Sequence, residues 1–324
     1  MAPTTGPVPG VPHPRATAEE VEAAWHDTKL AQVLYHDWEA QNYDEKWSIS
    51  FDERCISYAR DRFVAVAGTR GWPYGRALEV GAGTGFFSLN LKQAGVLDRV
   101  AVTDLSPGMV DAARRNARAL GFEVEGRVAD AETLPFEDDS FDVVVGHAVL
   151  HHIPDVELAL REVLRVLRPG GRFVFAGEPT RIGDWYARRL GRLTWELTTR
   201  ATRLPGLRGW ARPQAELDEA SRAAALEAVV DLHTFVPDYL ARTALRAGAV
   251  DVRTQTEELT AAFVGWPVRT FEVAVRPDRL GWRWAMFAYG AWKRLSALDR
   301  VLARALPASV FYNVAITGAK PSAG

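Results

Sequence analysis

Cysteine is nearly absent from this chain of 324 residues: Cys55 stands alone, so no internal disulfide can close and no centre built on two or more thiolates can form within one chain. In the run 51–63 it reads as a small packed hydrophobe. Lysine is scarce too, five residues against 34 arginines. Acids and bases nearly balance, and a formal charge of −2 excludes the strong basic excess of a dedicated nucleic-acid binder. Apolar runs of the roughly 18 to 20 residues that cross a bilayer are missing, and the chain does not start with charges followed by an apolar segment. A cytoplasmic protein is therefore expected. Five prolines crowd residues 1–15, which predicts a disordered leader. The apolar content, 48%, is ample for a sizeable core.

Against these absences stands one concentrated signal. In Ala77-Leu78-Glu79-Val80-Gly81-Ala82-Gly83-Thr84-Gly85 an apolar run breaks into three glycines at alternate positions. Such a pattern predicts a buried strand entering a loop that lets a ligand approach the main chain, followed by a helix near Phe86 with unpaired N–H groups. Val100 to Thr103 reads as the next strand, and Asp104 at its tip can accept hydrogen bonds from both hydroxyls of a ribose. A dinucleotide fingerprint would place glycine where Phe86 stands, so a pyrophosphate fits poorly, and Glu79 suits a cationic or zwitterionic ligand. Further strands are expected at Phe141 to His147, at Arg172 to Ala176, at Val250 to Thr254 and at Phe311 to Gly318. Helices are expected at about Arg54 to Val66 and Pro237 to Ala247. Strands alternating with helices make a parallel sheet that binds ligands at its carboxyl edge.

These residues resemble the class I S-adenosylmethionine-dependent methyltransferases over roughly residues 75 to 180. The resemblance implies an α/β fold: a Rossmann-like seven-stranded sheet, last strand antiparallel, with an N-terminal helical cap and two helical or mixed inserts. It implies S-adenosylmethionine as cofactor, held by Glu79, Gly81, Ala82, Gly83 and Gly85, by Asp104 and Leu105 at the ribose, by Asp130 and Ala131 against the adenine, and by His147. The expected division is a cap at 16–70, with Thr17 capping a helix that continues past Val21, Ala24 and Trp25 to Leu30, and a methyltransferase domain at 71–320. Inserts are expected at about 180–234 and 257–308. Tyr43 and Trp47 of the cap are candidates for shielding the sulfonium.

Methyl transfer is an in-line displacement that asks mainly for alignment and exclusion of water. A hydroxyl acceptor also needs a base, and histidine suits that task. His147, nearest the strand tip, is the first candidate, His152 the second, and Glu178 at the tip of the following strand a third. His233 and Tyr239 are within conceivable reach of an acceptor. The quinone-pathway O-methyltransferases carry a Glu-x-x-Glu-His metal site here, but this chain has Ala148-Val149-Leu150-His151-His152, lacking both glutamates, and no metal is expected. A site from His151, His152 and Glu178 is conceivable, although adjacent helical histidines diverge by about 100°.

Between 181 and 213, eight arginines face only Asp184 and Glu196, and seven of the eleven tryptophans lie from Trp185 onward. That surface could stack on sugars, hold an anionic substrate, rest on a membrane, or be tryptophan cores coated by arginine. The expected partner is a small acceptor, a saccharide or lipid-like molecule. The reaction is read as methylation of a hydroxyl on a sugar or secondary metabolite. C-methylation of a quinone-like ring is the alternative, and a cofactor-binding module without chemistry is the reading from another class.

Overall fold

The architecture follows from central strands buried on both faces, with helices packed between them, several of them side-chain capped. The computed structural model describes residues 18–322 except 25, 41–42, 47–48, 219 and 221–229. The proline-rich leader, the Thr17 cap and Trp47 lie outside the described residues.

Among the described residues the first helices are α1 (Ala18–Ala24), α2 (Thr28–Glu39) and α3 (Tyr43–Lys46), before α4 (Glu53–Ala67). The first helix does not continue to Leu30: the Asp27 side chain accepts from the N–H groups of Lys29 and Leu30 and starts a new helix. Then follow β1 (Tyr74–Val80), α5 (Phe86–Gln93), β2 (Leu97–Asp104), α6 (Pro107–Ala119), β3 (Val124–Val128), β4 (Phe141–His147), α7 (Val156–Val166) and β5 (Leu167–Pro179). The long α8 (Arg181–Ala201) leads toward α9 (Pro237–Ala247) and β6 (Val250–Glu257). Finally come α10 (Thr260–Ala274), α11 (Trp282–Leu302) and β7 (Asn313–Ala319).

The seven strands form one sheet in the order β3-β2-β1-β4-β5-β7-β6, with β7 antiparallel to both neighbours. Alternate residues of β1 serve opposite faces. Leu78 and Val80 join a core with Leu160 and Leu164 of α7 and Leu240 of α9, while Ala77 joins Phe63 of α4 and Phe87 and Leu91 of α5. Val143, Val144 and Val145 of β4 are all fully buried, as a central parallel strand covered on both faces requires. Register aligns the carboxyl ends: Val80 lies beside Thr103, and His147 beside Ala176. Gly81, Asp104 and His147 thus emerge along one edge of the sheet.

Ser106 caps α6 by accepting from Met109, with Pro107 preset in the first turn, and Asp155 caps α7 through Leu158. α10 packs against both α8 and α11. Three consecutive N–H groups at its start, on Leu259, Thr260 and Ala261, donate to buried Asp299 of α11. Among the described residues, no helix is long and apolar enough to cross a membrane.

Candidate active site

The β1 turn forms the floor of a cleft of about 940 Å³, mouth included. Gly81, Gly83 and Gly85 all take positive φ, at 59°, 52° and 85°. At Gly81 a Cβ would lie 2.0 Å from Val149 Cγ2, so the glycine loop after β1 and the loop after β4 touch through that missing side chain. At Gly83 a Cβ would meet only the Tyr43 ring, at 3.8 Å, and the backbone there is approachable from the cleft.

Acidic groups surround this loop. Glu79 is buried, and its Oε2 accepts from the Ser88 N–H at 3.1 Å and from the Ser88 hydroxyl. Burial pushes its carboxyl up to about 8. Asp104 accepts one backbone bond on each oxygen, from Gly83 at 2.8 Å and Ser106 at 2.9 Å. Each oxygen keeps a lone pair for a diol. Burial raises this carboxyl as well, to about 6. Leu105, Asp130 and Ala131 line the same cleft. Asp130 does not stand alone there: Lys29 of α2 donates to both Asp130 and Glu132, at 2.5 Å each.

The cap is fastened over the floor by contacts that no local pattern signals. Asp37 of α2 accepts from the Ser106 hydroxyl and, at 2.7 Å, from the Gly108 N–H at the start of α6. Asp44 of α3 accepts from Thr84 at 2.5 Å and Asn116 at 3.1 Å, which places neighbouring Tyr43 beside Gly83.

His147 reaches the cleft from the tip of β4, its ring enclosed by Phe86 and Phe87 with centroids 5.1 and 5.5 Å away. Burial lowers its pKa to about 4, so it is neutral near pH 7. Its Nε2 is 3.2 Å from the Tyr58 hydroxyl. Burial raises the tyrosine above its ordinary 10, which keeps that O–H protonated. Tyr58 is stacked under the Arg62 guanidinium, 3.7 Å from the ring centroid, and Arg62 pairs with Glu257 and Glu258 at 2.9 Å.

His152 also lines the cleft. Its Nδ1 lies 3.0 Å from the Val230 carbonyl oxygen, which can only accept, so the proton sits on Nδ1 and Nε2 carries the lone pair. Burial holds this imidazole well below its usual range, hence neutral. Gln32 steadies the arrangement by donating to the same carbonyl at 2.6 Å.

Glu178 requires a correction, because it does not open to the cleft. It is fully buried, and its carboxylate accepts from the N–H groups of Val149, Leu150 and His151 and faces His151 Nδ1 at 2.8 Å. With four partners it shapes the loop after β4 and has no capacity left for an acceptor proton. His233 likewise braces the Ile153 and Pro154 carbonyls, at 3.0 and 3.2 Å, while Tyr239 lies exposed on α9.

His151 Nε2 and His152 Nδ1 stand 3.8 and 3.7 Å from Asp231 Oδ1, spacing that could admit a metal. Two of these donors are committed elsewhere: His152 Nδ1 serves the Val230 carbonyl, and Arg188 pairs with Asp231 at 3.3 Å. Glu178 holds the far side of His151, so the cluster reads as a hydrogen-bonded brace for the loop.

Comparison with known proteins agrees with this geometry. The methyltransferase domain family matches residues 78–175, from the middle of β1 into β5. Residues of this chain are 43% identical over 99 positions to a demethylmenaquinone methyltransferase of Thermus thermophilus, covering 31% of this chain and 45% of that one. They are 42% identical over 101 positions to a 27-O-demethylrifamycin SV methyltransferase of Amycolatopsis mediterranei, covering 30% and 36%. The chain thus spans less than half the length of these curated relatives. In structure, phosphoethanolamine N-methyltransferase 2 of Haemonchus contortus, solved with phosphomonomethylethanolamine and S-adenosylhomocysteine, superposes with TM-score 0.54 over 91% of this chain and 59% of that one, at 16% identity. Residues 78–175 thus match the methyltransferase domain, and the fold around them is that of the solved methyltransferase.

Proposed function

We propose that the protein transfers a methyl group from S-adenosylmethionine to a small, acidic hydroxyl or activated ring carbon. The observation that carries this reading is the open backbone at Gly83 with the Asp104 carboxylate at its rim, under a cap fastened by Asp37 and Asp44. The donor set fits the cofactor: Gly81 to Gly85 give backbone approach, Asp104 offers one lone pair per oxygen to a diol, and the carboxylates of Asp104 and Asp130 favour a cation, whereas Glu79, protonated near pH 7, supports the loop through Ser88. When bound, S-adenosylmethionine supplies the methyl group on a sulfonium.

The chain's own residues align and shield. Asp104 and Leu105 would hold the ribose end and Asp130 and Ala131 would lie beside the base, while Tyr43 and the cap would exclude water. His152 Nε2 is the group best prepared to receive a proton, because the Val230 carbonyl holds the tautomer that leaves Nε2 bare. His147 is a positioning group, its Nε2 occupied by Tyr58.

Both imidazoles are weak bases in this setting, which bears on the acceptor. A phenolic or enolic hydroxyl, near the pKa of about 10 of a tyrosine, can yield its proton to such a base far more readily than a sugar hydroxyl. This favours a quinol-like or aromatic metabolite over a saccharide. The demethylmenaquinone methyltransferase among the relatives supports a second reading, methylation at a ring carbon, where less base assistance is needed.

Calorimetry tests the cofactor first. S-adenosylmethionine and S-adenosylhomocysteine should bind in the micromolar range, Asp104→Ala should abolish binding, and NAD should not bind. Absent binding, or preference for NAD, sinks the reading. In an acceptor screen, His152→Gln should lower kcat for O-methylation by about 10² or more, in line with loss of general-base help, and a smaller loss would favour ring-carbon transfer.

A further inference from the structure

The insert helices α8, α10 and α11 have packed inner faces. Tyr186 stacks on Phe263 with centroids 4.4 Å apart, Trp284 donates to Glu272 at 2.6 Å, and Trp292 lies beside Tyr58 next to His147. Their outer faces are unlike an ordinary solvated surface. On α8, Trp185, Leu193 and Leu197 are exposed at helical spacing, Trp185 by 58%. On α11, Trp282 is 75% exposed and Phe287 59%, with Met286, Leu298 and Val301 also open. The tryptophans do not simply fill small cores.

Basic residues are interleaved with these apolar ones. α8 and α11 together carry nine, against the three acids Asp184, Glu196 and Asp299, and Asp299 is buried. Asp184 and Glu196 are themselves paired, with Arg188 and Arg200. Arg189 covers the Trp185 ring at 3.9 Å, leaving its charge at the surface. Arg283, Lys293 and Arg294 run along the exposed side of α11.

From this we infer that the outer faces of α8 and α11 dock the protein on an anionic lipid bilayer, lying in its interface without crossing it. A second copy of the same surface would bring basic residues against basic residues, an unfavourable arrangement. A protein partner's interface would gather apolar residues into a core with a polar rim, whereas here tryptophan, leucine and arginine alternate along each helix. That mixture suits a headgroup layer, where aromatic and aliphatic side chains reach the acyl boundary and long basic side chains snorkel to phosphates. The inner aromatic of α11, Trp292, places the methyl-transfer side of the cleft close behind this surface.

Co-sedimentation of the full chain with phosphatidylcholine vesicles containing phosphatidylglycerol tests the assignment. Partition should be strong at low salt, fall with added salt, and be absent on pure phosphatidylcholine, with tryptophan emission shifting to the blue on binding. Replacing Arg189 and Arg294 by glutamine should weaken partition about fivefold per residue. Trp185→Ser with Trp282→Ser should remove the emission shift, while circular dichroism and S-adenosylmethionine binding confirm that the fold persists. No partition on anionic vesicles, undiminished partition of the variants, or a concentration-dependent dimer abolished by the tryptophan changes would overturn the inference. Vesicle partition is read without turnover, so its failure leaves the methyl-transfer reading untouched.

Discussion

Glu79 should make the unliganded fold lose stability as pH rises, and Glu79→Gln should remove that loss. Burial raises the Glu79 carboxyl from 4.5 to about 8. Between those values the folded chain holds a proton that the unfolded chain releases, so the stabilisation is complete below 4.5 and lost as pH rises through 8. At about 1.36 kcal/mol per pH unit, the interval is worth up to about 5 kcal/mol. The amide of glutamine keeps the shape, still accepts from the Ser88 N–H, and cannot ionise. Urea unfolding of both proteins without cofactor, followed by tryptophan emission at pH 5, 7 and 9, isolates the effect, since Asp104 and His147 titrate in both. The stability of Glu79→Gln relative to wild type should rise by about 4 kcal/mol from pH 5 to pH 9. A difference constant across that range refutes the reasoning, and would mean that Glu79 is ionised in the fold with Ser88 sufficient to hold its charge.

Two further substitutions probe the loops that frame the cleft. Gly81→Ala should cost about 3 kcal/mol in urea unfolding, since φ is 59° and the new Cβ would meet Val149 at 2.0 Å. The comparison is Gly95→Ala, also at positive φ but with nothing within 4 Å, which should cost about 1 kcal/mol; equal losses would show that contact with Val149 is unimportant. Glu178→Gln should lower stability by about 2 kcal/mol, because the amide nitrogen turns a donor toward the His151 N–H. Unchanged thermal stability with lost turnover would instead restore Glu178 to a direct catalytic role.

The sheet was legible because strand patterns need only neighbours in sequence. Phe141 to His147 and Pro237 to Ala247 coincide with β4 and α9, and the remaining strands differ chiefly at their ends, where pairing rather than composition decides the limits. Asp104 was legible at the site for the same reason: it follows an apolar strand and its role depends on the glycines that precede it. Glu178 shows where that logic stops. Its place at a strand tip suggested an exposed acid in the cleft, yet the chain after β4 turns back and offers it three N–H groups. The cap contacts are beyond local reading altogether, since Asp44 meets Thr84 and Asn116, and Tyr58 meets His147, across 40, 72 and 89 residues. Each of these partners is an ordinary polar or aromatic residue in its own helix, strand or turn. Only closure of the cap onto the sheet edge makes Tyr58 occupy His147 Nε2, and it is on that long-range contact that the proposed assignment of proton acceptance to His152 rather than His147 rests.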